Sequence, residues 1–362
     1  PPADAWLHQY VLRVAIYLSI HEDRLDDADA YLQQARDNAK NSNDPAVRWV
    51  VHQLAYIVAG SRDDYAGQLR AIREGLADLD DPDDVMAIYY RIWRFRAACE
   101  FHDLDLAQAD VEVLGKRRDQ LTEHGLMAYP MYEVPLLRLR GEYGEALQRI
   151  SELTEEEKAT ARNWAWYNQA TSLIYLYRVD EAAVIVEKMA EQARKTSGPA
   201  SDNRHFGSRA QIQSLQTILA LGRGDLEAAW ALADELARTA ANEHPHWKKQ
   251  TKNLLIEVAL AQRNSALVGR LLTAIDPEQS HPAYRMNWAR LRWLEGEHDT
   301  AAHIFAGLLH RARNHPGYIP AELRFASELS AADTARLHRL AQQFDDLDLA
   351  RSSREAIERR DH

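Results

Sequence analysis

The 362-residue sequence holds a single cysteine, Cys99. A lone cysteine excludes an intramolecular disulfide framework and any metal site built from several thiolates. Cys99 lies among apolar residues of a predicted helix, where a thiol is expected to be buried and inert. Long hydrophobic runs are missing as well. Val47 to Ala59 and Leu254 to Ala261 are too short or too interrupted to span a bilayer, so no membrane segment is predicted. Alternating runs of β-branched residues do not occur, which removes the signal for strands. The sequence has no Gly-rich phosphate loop ending in Lys-Ser/Thr, no Gly-x-Ser-x-Gly elbow and no His-Glu-x-x-His. His244-Pro245-His246 has no nearby Cys or third ligand and reads as a turn at a helix start. Asp80, Asp81, Asp83 and Asp84 flank Pro82, where charge at a helix N-terminus explains them better than catalysis. The expectation is a non-enzyme with no cofactor and no metal.

Basic charge is also in short supply, with a net charge of −11. This argues against nonspecific nucleic-acid binding, which needs lysine and arginine to neutralise phosphates. The excess acid is concentrated early: residues 1–120 carry −8, residues 121–240 carry −4 and residues 241–362 carry +1. Solubility of a long helical array accounts for that gradient. The opening residues Pro1-Pro2-Ala3-Asp4 show neither an initiator Met nor a signal peptide, as expected of an excised or processed piece. Cytoplasm is the expected compartment, or periplasm if the chain is processed.

What is present is a phrase that recurs about every 38 residues. A short polar corner leads into a small residue and an apolar helix, most clearly at Gly224-Asp225-Leu226-Glu227-Ala228-Ala229, Gly296-Glu297-His298-Asp299-Thr300-Ala301 and Gly141-Glu142-Tyr143-Gly144-Glu145-Ala146. Taking the small residue as an anchor gives Ala28, Ala66, Ala107, Ala146, Ala182, Ala228, Ala266 and Ala301. Self-similarity at this period indicates stacked helical hairpins. In a stack each repeat needs only its neighbours to bury its apolar faces, so a chain of this length requires no linker. The corner glycine supplies the left-handed conformation that ends one helix, and Asp225 is placed to cap the next. Pro130 and Pro135 predict a short or kinked first helix in the fourth repeat. Residues 196–203 read as a long exposed loop. The rhythm breaks at His315-Pro316, which divides the chain into a repeat array over 1–315 and a helical C-terminal cap over 316–362.

These corners and anchors resemble the tetratricopeptide-repeat (TPR) family over residues 5 to 315, with periods longer than the family's own. Longer periods are similar to the irregular repeats of bacterial signalling proteins, such as the sensor of maltose-activator-type transcription regulators. The resemblance implies an all-α fold: a right-handed superhelix, or α-solenoid, of about eight TPR-like hairpins whose first helices line a concave groove. The family's groove offsets, counted back from the anchors, project onto 32 positions of this chain, none of them acidic and six of them Arg or Lys. Burial alone would exclude carboxylates, but it would exclude arginine and lysine equally.

The residues so implied to bind a partner are Arg48, Trp93, Arg96, Tyr132, Trp164, Tyr167, Asn168, Gln213, Lys248, Lys252, Asn287 and Arg290. A basic, aromatic-rich groove suits an acidic peptide or protein segment: cations meet carboxylates, amides meet backbone and rings give apolar platforms. The functional expectation is a protein-interaction or sensor module of a larger regulatory or assembly protein, without direct nucleic-acid contact. The alternative is a small-molecule or oligosaccharide receptor, with an aromatic pocket around Trp164, Trp166 and Tyr167.

Overall fold

A computed structural model describes residues 2–301 and 304, apart from 41, 43, 80, 82, 83, 124, 125, 127, 156, 158–160, 177, 197–202, 244–247, 274–280, 298 and 299. The described residues are helical and contain no strand. One compact unit lies within Pro1–Leu126. It contains α1 (Pro2–His21), α2 (Leu25–Lys40), α3 (Pro45–Ser61), α4 (Tyr65–Ala77), α5 (Val85–Glu100), α6 (Leu104–Lys116) and α7 (Arg118–Glu123). The second unit runs from Met127 onward. It contains α8 (Pro130–Arg140), α9 (Tyr143–Ser151), α10 (Arg162–Tyr175), α11 (Val179–Thr196), α12 (Asn203–Gly222), α13 (Leu226–Glu243), α14 (Lys248–Ala261), α15 (Ser265–Leu272) and α16 (Pro282–Leu294). Within each unit a helix packs mainly on its neighbours in the chain, as a stack of hairpins requires.

One corner geometry joins the two helices of each hairpin. A residue with φ between 54° and 83° ends the first helix at Asp23, Asp63, His102, Gly141, Gly224, Arg263 and Gly296. The N–H of the following residue reaches back five residues to a carbonyl at 2.8–2.9 Å, as in Arg24 to Ser19, Asp64 to Ala59 and Asp225 to Ala220. This is the bond pattern of a Schellman motif, and it satisfies carbonyls that the helix end leaves open. The same residue caps the next helix: the carboxylates of Asp64, Asp103 and Asp225 and the amide of Asn264 accept from the N–H three residues on. Four of the left-handed residues are not glycine, so the motif is held by its hydrogen bonds and packing as well as by composition.

The corner fixes which residue of the second helix is buried. Four positions past each cap lie Ala28, Gln68, Ala107, Ala146, Ala182, Ala229, Val268 and Ala301, and seven of these are 0 % exposed, with Gln68 at 2 %. The sequence anchors are therefore right at Ala28, Ala107, Ala146, Ala182 and Ala301 and must be moved at three corners. Ala66 and Ala266 are exposed, and Ala228 is only half-buried. The physical reason is that Gln68 and Val268 take the crossing position although neither is small. At the sixth corner two adjacent alanines made the choice ambiguous.

Other expectations are met locally. The helix interrupted by prolines is short, at 11 residues, with Pro130 in its first turn and Pro135 inside. Asp84 caps α5 through the Met86 N–H at 2.7 Å, as the acidic run suggested. Cys99 is half-buried rather than enclosed. The loop over 197–202, the His244–His246 turn and the C-terminal cap over 316–362 lie outside the described residues.

Two substitutions separate the structural register from the sequence one. Ala229→Leu overpacks the crossing of α12 and α13 and costs about 1–3 kcal/mol. Ala228→Leu, one residue earlier, stays within about 0.5 kcal/mol of the parent. Gly224→Ala has open space around the new methyl but must hold φ 76°, and costs about 1–2 kcal/mol. Urea denaturation checks all three.

Candidate functional site

In the second unit α8 ends at Arg140, where Gly141 turns the chain at φ 79°. That places Arg138, in the last turn, against α10. The Arg138 Nη1 donates to Asn168 Oδ1, and the Asn168 amide donates in turn to the Trp164 carbonyl at 2.9 Å. Asn168 is buried, so both ends of its amide are committed and the arginine is held in one direction. The guanidinium carbon lies 5.9 Å over the Tyr167 ring, within range of a cation–π contact. Trp164 and Tyr167 are half-buried, and Arg138 Nε is buried without a partner. The result is a partly desolvated cation oriented by an amide and a ring rather than by a carboxylate.

Several other arginines among the described residues meet carboxylates. Arg94 donates to Asp110 through Nε at 2.9 Å and Nη2 at 2.6 Å, and Asp110 is fully buried. Arg62 meets Asp26 and Asp29, and Arg178 meets Glu181. Arg290 is 3 % exposed and its Nη1 donates to Glu257 at 2.8 Å and to Asn287 at 3.2 Å. Asn287 also donates to Asn253 at 2.7 Å, so these four side chains form an internal network between α14 and α16.

The structure brings Trp164, Tyr167 and Asn168 together and adds Arg138, which the projection did not reach because it stops one turn short of the corner. The remaining candidates are scattered. Tyr132 is buried on α8. Gln213 donates to the Leu232 carbonyl at 3.1 Å and to Glu235 at 3.3 Å, acting as a strut between α12 and α13. Arg48, Arg96 and Lys248 are exposed, and burial pushes the half-buried Lys252 ammonium below its usual range. Counted from the structural corners, the same offsets drop Arg48, Gln213, Lys248 and Lys252 and bring in Asn253 and Glu257. The absence of acids along the projected groove thus rested in part on the displaced anchors.

In the first unit Trp93 belongs to an aromatic cluster rather than an open platform. It stacks on Tyr56 at 5.7 Å, lies 5.8 Å from Trp49 and meets Tyr90 edge-on at 5.3 Å. Such geometry follows from the ring quadrupole. Burial, together with the carboxylate of Glu100, pushes the Tyr56 phenol up to about 12, so it stays a neutral donor. Tyr90 lies directly over Gly75, leaving no room for a side chain there. Among the described residues no group of three or more His, Cys, Asp or Glu could hold a metal ion, and no helix is long and apolar enough to cross a membrane.

Gly75→Ala drives its methyl into the Tyr90 ring and must displace it. The expected cost is about 1–3 kcal/mol, with a changed near-ultraviolet circular dichroism signal from the Trp49–Tyr56–Trp93 cluster. A thermal and spectroscopic comparison with the parent checks it.

Compared with protein-family models and with curated proteins, the chain shows no match.

Proposed function

We propose that this chain is a non-enzymatic interaction or sensor module that holds an acidic peptide or partner segment. On this reading it is a TPR-like array of about eight hairpins, right-handed as the resemblance implies, and part of a regulatory or assembly protein. The observation that carries the proposal is Arg138: half-buried, pre-oriented by Asn168 and Tyr167, and bound to no carboxylate of its own chain among the described residues. A partly desolvated cation without an anion costs free energy that an incoming carboxylate would recover. The planar fork of arginine favours a two-point grip on such a group. The half-buried Tyr167 ring beneath it supplies an apolar face for the flanking residues of the ligand.

A second reading rests on a separate feature of the same unit. An open cleft of about 350 Å³ lies between α9 and α10, lined by Ser151, Glu155, Arg162, Trp166 and Gln169. Arg162 lies 5.9 Å over the Trp166 ring. An aromatic floor with amide, hydroxyl and charged groups suits a small polar molecule such as a sugar, as in a receptor domain.

Isothermal titration with acidic dodecapeptides of low sequence complexity tests the main reading. Arg138→Ala should weaken binding by at least tenfold, the loss of one charge-assisted contact worth about 1.5–3 kcal/mol. Asn168→Asp should also abolish binding, because it places a carboxylate of the chain on the arginine, although it gives up the bond to the Trp164 carbonyl. Binding should fall as salt rises. Affinity that survives Arg138→Ala but is lost on joint Lys248→Glu and Lys252→Glu would move the surface to α14. Quenching of Trp166 by maltooligosaccharides, with no peptide binding, would favour the cleft.

A further inference from the structure

Seven of the eight exposed large hydrophobic side chains among the described residues lie on α1: Trp6, Leu7, Tyr10, Val11, Val14, Tyr17 and Leu18. Their spacing of three and four residues puts them on one helical stripe, 39–61 % exposed, with Trp6 and Tyr10 stacked at 6.0 Å. The opposite side of α1 is already used, since Leu12 and Ile16 are buried with α2 and α3. An apolar helix on two sides is the signature of an element packed on both. Contiguous exposed apolar surface of this extent marks an interaction site.

The repeat itself shows what belongs there. The first two corners are alike: Asp23 and Asp63 both have positive φ, and Arg24 and Asp64 make the same bond back to the helix they leave. Superposing them in sequence pairs Leu7 with Val47, Tyr10 with Val50, Val11 with Val51, Val14 with Leu54 and Leu18 with Val58, while Trp6 and Tyr17 fall on the exposed Ala46 and the half-buried Ile57. All five α3 partners are 0–8 % exposed, in one core with Ala28, Leu32, Ala35 and Ala39 of α2. Five residues of the open α1 stripe are therefore the repeat equivalents of α3 residues buried in the core that α3 shares with α1 and α2. The covering helix has a defined chemistry: alanine and leucine on one side, with Asp26, Asp27 and Asp37 toward solvent.

We infer that the α1 stripe is a docking face for an amphipathic helix of this type, seated as α2 sits on α3 and extending the stack by one layer. The interface is independent of the Arg138 site and concerns the other unit. Its occupant is a partner helix with small and aliphatic residues at the positions of Ala28, Leu32, Ala35 and Ala39 and an acidic outer side. The α2 of a second copy is not free to fill this role, since its stripe is already packed on α1 and α3.

The test supplies that helix. Residues 25–44 are fused a second time in front of Ala5, in the chain position they hold before Pro45. The control fusion carries Leu32→Lys and Ala35→Glu in the added copy only. The intact fusion should raise the melting temperature by roughly 3 °C or more, shift Trp6 emission to the blue (read against Trp6→Phe) and reduce dye binding by exposed apolar surface. The control should match the unfused protein in all three. Equal behaviour of the two fusions overturns the inference. So does an unfused chain that is dimeric at micromolar concentration and monomeric after Tyr10→Glu, since a second copy then covers the stripe. Vesicle binding that Tyr10→Glu abolishes overturns it in favour of a lipid surface. If the fusion does not fold, the free 25–40 peptide is titrated onto the full chain with the same Trp6 readout. Binding of the parent peptide but not its Leu32→Lys form supports the docking face, and absence of binding by both refutes it.

Discussion

The structure depends on one backbone arrangement, the corner in which a left-handed residue ends a helix and its successor both closes that helix and begins the next. The back-bond of 2.8–2.9 Å recurs at eight places among the described residues, from Arg24 to Glu297. It sets the angle between paired helices, and so decides that the residue four positions past the cap lies at their crossing. Every later feature inherits this register. The buried positions of α2 follow from Arg24 and those of α13 from Asp225, and Arg138 faces Asn168 because Gly141 ends α8 where it does.

Within that frame polar groups are placed by who can satisfy them. Asp110, with no exposure, is tolerable because Arg94 grips it through two nitrogens. Losing such a partner leaves a buried charge uncompensated, a penalty of about 3–5 kcal/mol. Arg290 is in the same position with Glu257. Arg138 differs in having an amide and a ring for partners, which orient a guanidinium without cancelling its charge. That contrast, and not the abundance of basic residues, sets Arg138 apart from Arg94 and Arg290.

The stack also explains why apolar surface is distributed so unevenly. A hairpin within the array has a neighbour on each side, and α3 buries the stripe that α1 exposes. Repeat architectures make such comparisons possible, because each hairpin serves as a control for the next. An exposed stripe with a buried equivalent one repeat away is a missing contact rather than a tolerated surface residue.

The hairpin rhythm, the all-helical content, the caps at Asp84 and Asp225 and the shortened helix at Pro130 were all legible in the sequence. They rest on hydrogen bonds and steric limits between residues a few positions apart, and such short-range physics is written in adjacent letters. The anchors at Ala66, Ala228 and Ala266 were not legible: at the sixth corner two alanines adjoin and a shift of one residue turns a helix by about 100°, and at the other two the crossing position holds Gln68 and Val268, neither of them small. Most of the candidate site was hidden for a related reason. Trp164, Tyr167 and Asn168 could be named, but that Arg138 joins them while Arg290 is taken by Glu257 depends on contacts some 30 residues apart. The sequence determined where the helices begin and end. Only the tertiary structure decided which faces they turn to one another, because that choice belongs to the partner as much as to the helix.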